Sequence, residues 1–133
     1  MEWMKNAKLV LRIGVAGEFF GHGAFALGLA GLKKGWIPYF TALGIPEATA
    51  LMLLPLIGIM DIAVGLIILF RPFKAVVAWA AAWGFLTALV RPLSARNLGG
   101  VLDFIERFAN WAAPLALLAL NKFPKKKGDW WKV

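Results

Sequence analysis

The sequence predicts an all-α fold: four transmembrane helices in one bundle, both termini cytoplasmic, forming a single membrane domain over residues 1–133. Three observations carry this reading. Hydrophobic residues make up 61% of the chain and charged ones only 17%, with a mean hydropathy of +0.73. A soluble domain of this length could not hide so much apolar surface. The apolar residues also fall into four stretches near the roughly 20 residues that cross a bilayer. Finally, Lys and Arg are unevenly shared between the two sides that four spans create. Lys5, Lys8, Arg12, Arg71, Lys74, Lys122, Lys125, Lys126, Lys127 and Lys132 fall on the N-terminal side, against Lys33, Lys34, Arg91, Arg96 and Arg107 opposite. The richer side is the cytoplasmic one.

The first span is expected at about 9–32. Glu18 and His22 interrupt its apolar run, which argues against a cleaved signal peptide. The segment "KKGWIPYFTALGIPEATA" is semi-apolar and aromatic and is expected to lie along the membrane interface. A second span, about 48–70, holds Pro55 and a single acid, Asp61. "RPFK" makes a tight turn into the third span, about 75–90, which is rich in Ala and Trp. "RPLSARNLGG" is a loop, and its double glycine leads into the last helix, about 101–120, where Pro114 should kink the chain by removing the donor for the Asn110 carbonyl. The tail, 121–133, is basic with two tryptophans. Lys125, Lys126 and Lys127 suit anionic lipid, and Trp130 and Trp131 suit the headgroup layer.

Within the first span, Gly14, Gly21 and Gly28 recur every seven residues, as do Gly17, Ala24 and Gly31. They predict a seam of small residues against which a neighbouring helix can pack closely. Glu18 borders that seam, and His22, four residues on, shares its face. In the second span Asp61 falls on the face of Gly58 and Gly65. Glu18 and Asp61 each lie about nine residues from the inner end of their spans, or roughly 14 Å. Ionisable groups at such depth are costly unless paired, protonated or facing water. Glu18, His22 and Asp61 are therefore the candidate intramembrane polar site, with Trp79, Trp83 and Asn110 as candidate pocket lining. The plainer reading is that Glu18 and His22 bond to each other, or to Arg12 and backbone, and only fix packing. Arg91 is expected in an ion pair with Glu106–Arg107, clamping the last two helices.

Several chemistries are absent. Without cysteine there are no disulfides, CxxC redox centres, cysteine-ligated iron–sulfur clusters or c-type haem attachment. One histidine cannot supply bis-His haem ligation, and Glu–His–Asp is a thin ligand set, so no haem or metal held by this chain alone is expected. The formal charge of +8 sits at the edges of the apolar stretches, which points to lipid headgroups rather than nucleic acid. No nucleophile–base pair, Walker loop or dinucleotide fingerprint is present.

The stretch "YFTALGIPEATALMLLPLIGIMDIAVGLIILF" resembles the DoxX/DoxD-like family of small four-helix membrane proteins. Its features are an aromatic lead-in, "LGxP", a run of small and apolar residues, and an acid followed by "xxxG", with Asp61 at the acidic position. "RIGVAGEFFGHGAFALGLAGLKKG" is similar to the family's first helix, and "RPLS…FIERFANWAAPLALL" to a subset of its members. The family includes a subunit of a thiosulfate:quinone oxidoreductase and membrane parts of oxidative-stress complexes. The resemblance therefore implies a bacterial or archaeal cytoplasmic membrane and a role in a respiratory or redox complex; it leaves the cofactor unknown, with a quinone as one candidate. The partners expected are the bilayer and other membrane subunits or further copies of the chain. Three functions follow: accessory or structural subunit of a quinone-linked complex, stand-alone quinone-linked oxidoreductase, or transporter of a small solute or protons. The first ranks highest, because four helices leave room for one polar pocket and little for gating machinery.

Overall fold

The computed structural model describes residues Met1–Val133, and it is all-helical, without a β-sheet. The helices are α1 (Glu2–Ala26), α2 (Ile37–Thr41), α3 (Glu47–Phe70), α4 (Lys74–Ala95), α5 (Leu98–Glu106) and α6 (Phe108–Leu120). Two 3-10 turns, Lys34–Trp36 and Lys127–Trp131, complete the order.

α3 follows its sequence limits closely, since Pro46 precedes it and "RPFK" ends it. α1 does not. It begins at Glu2 and stops at Ala26, because Gly28 and Gly31 take φ of +78° and +88°, a region that ends a right-handed helix. α4 runs past its expected end, through Pro92, to a left-handed Arg96 at φ +51°. The expected last helix is two helices that meet at Arg107, whose φ of −96° and ψ of +13° are not helical. Asn97 caps α5 by accepting from the Gly100 backbone N–H at 2.9 Å. α3 and α4 are each long and apolar enough to cross a membrane.

α1 packs on α3 and α6, and α4 packs on α5 and α6. Glycines allow the closest crossings. A Cβ on Gly58 would stand 2.9 Å from the Gly23 carbonyl, and one on Gly65 2.7 Å from the Phe20 ring. A Cβ on Gly84 would meet the Asn110 carbonyl oxygen at 2.4 Å. The seam expected along Gly14, Gly17 and Gly21 is not where the helices meet. Nothing lies within 4 Å of a Cβ at any of the three, and Gly28 is beyond the helix end. α1 instead presents Ala16, Phe19 and Gly23 to its neighbours, and its glycine stripe faces outward.

One core, of Val15, Phe19, Val64, Ile68, Val77, Ala80, Leu117 and Leu118, joins α1, α3, α4 and α6 near the α3–α4 turn. At that end Arg12 reaches across from α1 and donates to the Ile68 and Leu69 carbonyls, closing the C-terminus of α3. The tail docks there too, the Lys74 backbone N–H donating to the Lys132 carbonyl at 3.0 Å. Lys125, Lys126 and Lys127 are exposed, as is Trp131. At the other end an aromatic cluster of Phe85, Phe104, Phe108 and Trp111 ties α4 to α5 and α6. Only 23 of 133 residues are buried, while Val10, Ile13, Met52, Leu56, Ile59 and Phe70 stand out from the helices. That exterior suits hydrocarbon, not water.

Candidate functional site

The half of the bundle away from the core is not filled. A cavity of about 340 Å³ lies between α3, α4, the end of α1 and the short α2. α3 and α4 form a hairpin about "RPFK", so residues equally distant from that turn share a level. Asp61 is therefore level with Trp83, and both line the cavity. The crossing contacts Gly23–Gly58 and Ala16–Gly65 place His22 and Glu18 about two residues, or roughly 3 Å, to either side of the Asp61 level.

The structure brings His22 and Asp61 to one cavity wall but leaves Glu18 behind it. His22 Nδ1 is 3.9 Å from Glu18 Oε1, within ion-pair range but too far for a hydrogen bond. The local bond that would have made this pair a packing device is thus not formed, and Arg12 is occupied at the end of α3. Asp61 is 3% exposed and its Oδ1 has no hydrogen-bond partner. A buried carboxylate oxygen without a partner, beside a cavity that its residue lines, is costly unless something else meets it.

The expected pocket lining divides. Trp83 lines the cavity and Trp79 does not, although their rings stack at 5.7 Å and 14°. Asn110 also lies elsewhere, its carbonyl against Gly84. That carbonyl, freed by Pro114, meets the close approach of α4 and not a ligand space.

Arg91 differs most from expectation. It is not clamped to Glu106, which with Asp103 pairs instead with Arg107, at 2.5 and 3.4 Å. Arg91 is 7% exposed and lines the cavity. Its guanidinium lies 5.1 Å from the Tyr39 ring centroid, and Nη1 donates to the Thr87 carbonyl. Nε is buried without a partner. Sequence spacing could have revealed this, since Trp83, Thr87 and Arg91 recur every four residues and so share one face of α4. Tyr39 and Trp36, read from sequence as interfacial, also line the cavity. α2 starts at Ile37 with Pro38 in its first turn, and the Pro38 carbonyl accepts from Ser94 Oγ at 3.4 Å, holding the short helix over the end of α4. His22 meets Trp36 edge-on at 6.0 Å.

The cavity thus has apolar walls (Leu54, Ile57, Leu86, Val90), an acid with a histidine roughly 3 Å from its level, and an arginine eight residues beyond Trp83 along α4. Such a space can hold an apolar molecule with a few polar atoms and offer those atoms donors, an acceptor and a proton. Nowhere do three His, Asp or Glu side chains gather as a metal-binding group.

A family model described as the DoxX-like family matches residues 16–95, more than half of the chain. The match takes in α3, α4 and every cavity residue named above. Among curated proteins and among solved structures, nothing matches.

Proposed function

The chain belongs to the DoxX-like family, and from that premise we propose that it is an accessory subunit of a quinone-linked redox complex in a bacterial or archaeal cytoplasmic membrane. In this reading α1, α3, α4 and the α5–α6 pair cross the bilayer, with both termini cytoplasmic. α6 alone has 13 residues, about 20 Å and too short, whereas residues 98–120 together reach roughly 34 Å. The outward-facing apolar side chains supply the lipid surface.

The observation that carries the quinone reading is the apolar cavity lined by Asp61, whose Oδ1 has no hydrogen-bond partner, and by His22 close to its level. A bound quinone would supply reversible transfer of electrons and protons. The chain's own part is to bind and orient the ring and to hold a proton near it. Trp83 gives a flat wall at the Asp61 level, and the leucine and isoleucine side chains keep water away. Asp61 Oδ1 and His22 are the groups placed to exchange a proton with a ring oxygen. Glu18, 3.9 Å behind His22, stands where it can hand that proton onward.

The test uses the parent complex, purified in mild detergent through this chain. Asp61→Asn and His22→Gln keep shape and hydrogen bonding. Both should leave assembly intact and lower quinone-dependent turnover at least tenfold, and an azidoquinone should label the peptide around Asp61. Unchanged turnover in both variants would make the polar group a packing feature and remove the proposal.

A further inference from the structure

A cation buried in an apolar wall without a counter-ion is unstable unless an anion joins it. Arg91 is in that state. Asp103 and Glu106 act on its charge from a distance, but neither is within ion-pair range of Arg91 and both pair with Arg107. Asp61 is eight residues away along the hairpin, about 12 Å. Of the guanidinium donors only Nη1 is hydrogen-bonded, to the Thr87 carbonyl, and Nε is orphaned. The Tyr39 ring stabilises the positive charge from one side but accepts none of its hydrogens in the plane. Nη2 makes no hydrogen bond and, unlike Nε, is not occluded, so it is the donor an incoming anion meets first, with Nε beside it on the edge that a carboxylate matches with two oxygens.

We propose that the Arg91 end of the cavity is an anion-binding site that takes the carboxylate of a single-chain amphiphile, whose tail lies along α4 toward Trp83. Three features select this class. Between Arg91 and Trp83 the wall is apolar apart from Thr87 and His22, and the run of about 12 Å accommodates roughly eight to ten carbons. The cavity's outer lining is also apolar: Leu43, Leu86 and Leu93 are 59, 53 and 50% exposed. A ligand partitioned in lipid passes such a portal more readily than a small hydrated anion. Asp61 at the far end repels a carboxylate, so the head can sit only at Arg91 and the orientation is single. The head site depends on Arg91 and not on Asp61, although the tail ends at the Trp83 level that the quinone reading also uses, so the two ligands would exclude each other from the one cavity.

The experiment uses the full chain in phosphatidylcholine nanodiscs and a dodecanoic acid carrying a diazirine near its methyl end. The label should fall on residues near Trp83. Laurate should compete at least tenfold better than dodecanol. Arg91→Gln should reduce labelling tenfold or more, Arg91→Lys should retain part of it, and Asp61→Asn should not reduce it. Equal competition by dodecanol, or full labelling of a folded Arg91→Gln protein, overturns the proposal. If phosphatidylglycerol competes as well as laurate, the site belongs to a phospholipid headgroup and the single-chain assignment fails. Should Arg91→Gln not fold, the laurate–dodecanol comparison on the unaltered chain decides.

Discussion

Gly84→Ala should be among the most damaging single-methyl changes in this protein. The added Cβ would stand 2.4 Å from the Asn110 carbonyl oxygen and 2.9 Å from its carbon. Ordinary contact begins near 3.4 Å, so α4 and α6 must separate by about 1 Å. Both obstacles are backbone, and no rotamer change can clear them. Overpacking of this kind costs about 1–3 kcal/mol, and here the rigid partner places it toward the upper end. Alanine's better helix propensity returns up to about 1 kcal/mol, leaving a net loss of about 2 kcal/mol. The folding equilibrium should fall by a factor of roughly 30, at 1.4 kcal/mol per tenfold. Reversible unfolding in mixed micelles, followed by tryptophan fluorescence, measures this directly. Gly21→Ala is the matched control, because its Cβ meets nothing within 4 Å; with the same propensity gain and no clash, it should equal the parent or exceed it by up to about 1 kcal/mol. A Gly84→Ala protein as stable as the parent, or a Gly21→Ala protein equally weakened, would refute the packing described here.

Three further outcomes are expected. Arg12→Met removes the donors to the Ile68 and Leu69 carbonyls and should cost about 2 kcal/mol, as for bonds with one charged partner, with Arg12→Lys restoring part; no loss in the same unfolding assay would show that α3 needs no such cap. Hydrogen bonds from the Lys132 ammonium and from the Lys125 and Lys126 backbone N–H groups hold the Asp129 carboxyl well below the usual range, at about 2. A lowered folded-state value stabilises above the ordinary carboxylate pKa of about 4 and is lost as pH falls toward 2. Amide protection at Lys125 and Lys126 should therefore disappear over that window, and protection persisting at pH 1 would contradict it. A cysteine placed at Val133 should react with an impermeant maleimide only from the cytoplasmic side, and labelling only from the opposite side would reverse the proposed topology.

How much of this was legible in the sequence depends on whether the signal was local. Pro46 and "RPFK" bracket α3, and the three-residue and four-residue spacings put Asp61 beside Gly58 and Gly65 on its packed face. Turn chemistry and helical period act over a few residues and survive any tertiary context. The break at Arg107 had no Gly or Pro to mark it, and it leaves α5 free to lie back on α4, where Gly100 meets the Arg91 carbonyl.

By itself, the sequence determined that the chain is helical and apolar outside, and that Asp61 belongs to the inside of α3. Only the tertiary structure decided which face of α1 is inside. From Ile13 to Ala26 small and apolar residues lie on every side of α1, so hydrophobic periodicity separates its buried face poorly from the one turned outward. Small residues lie on both faces of α1, and the stripe with the more regular spacing, Gly14 and Gly21, turned outward while Ala16 and Gly23 met α3. The same ambiguity hid Arg91. The four-residue spacing of Trp83, Thr87 and Arg91 marks a shared face of α4, but not whether that face meets water, an acid or a cavity. The answer came from α2, which covers it with Tyr39, and from Arg107, which had already taken the acids.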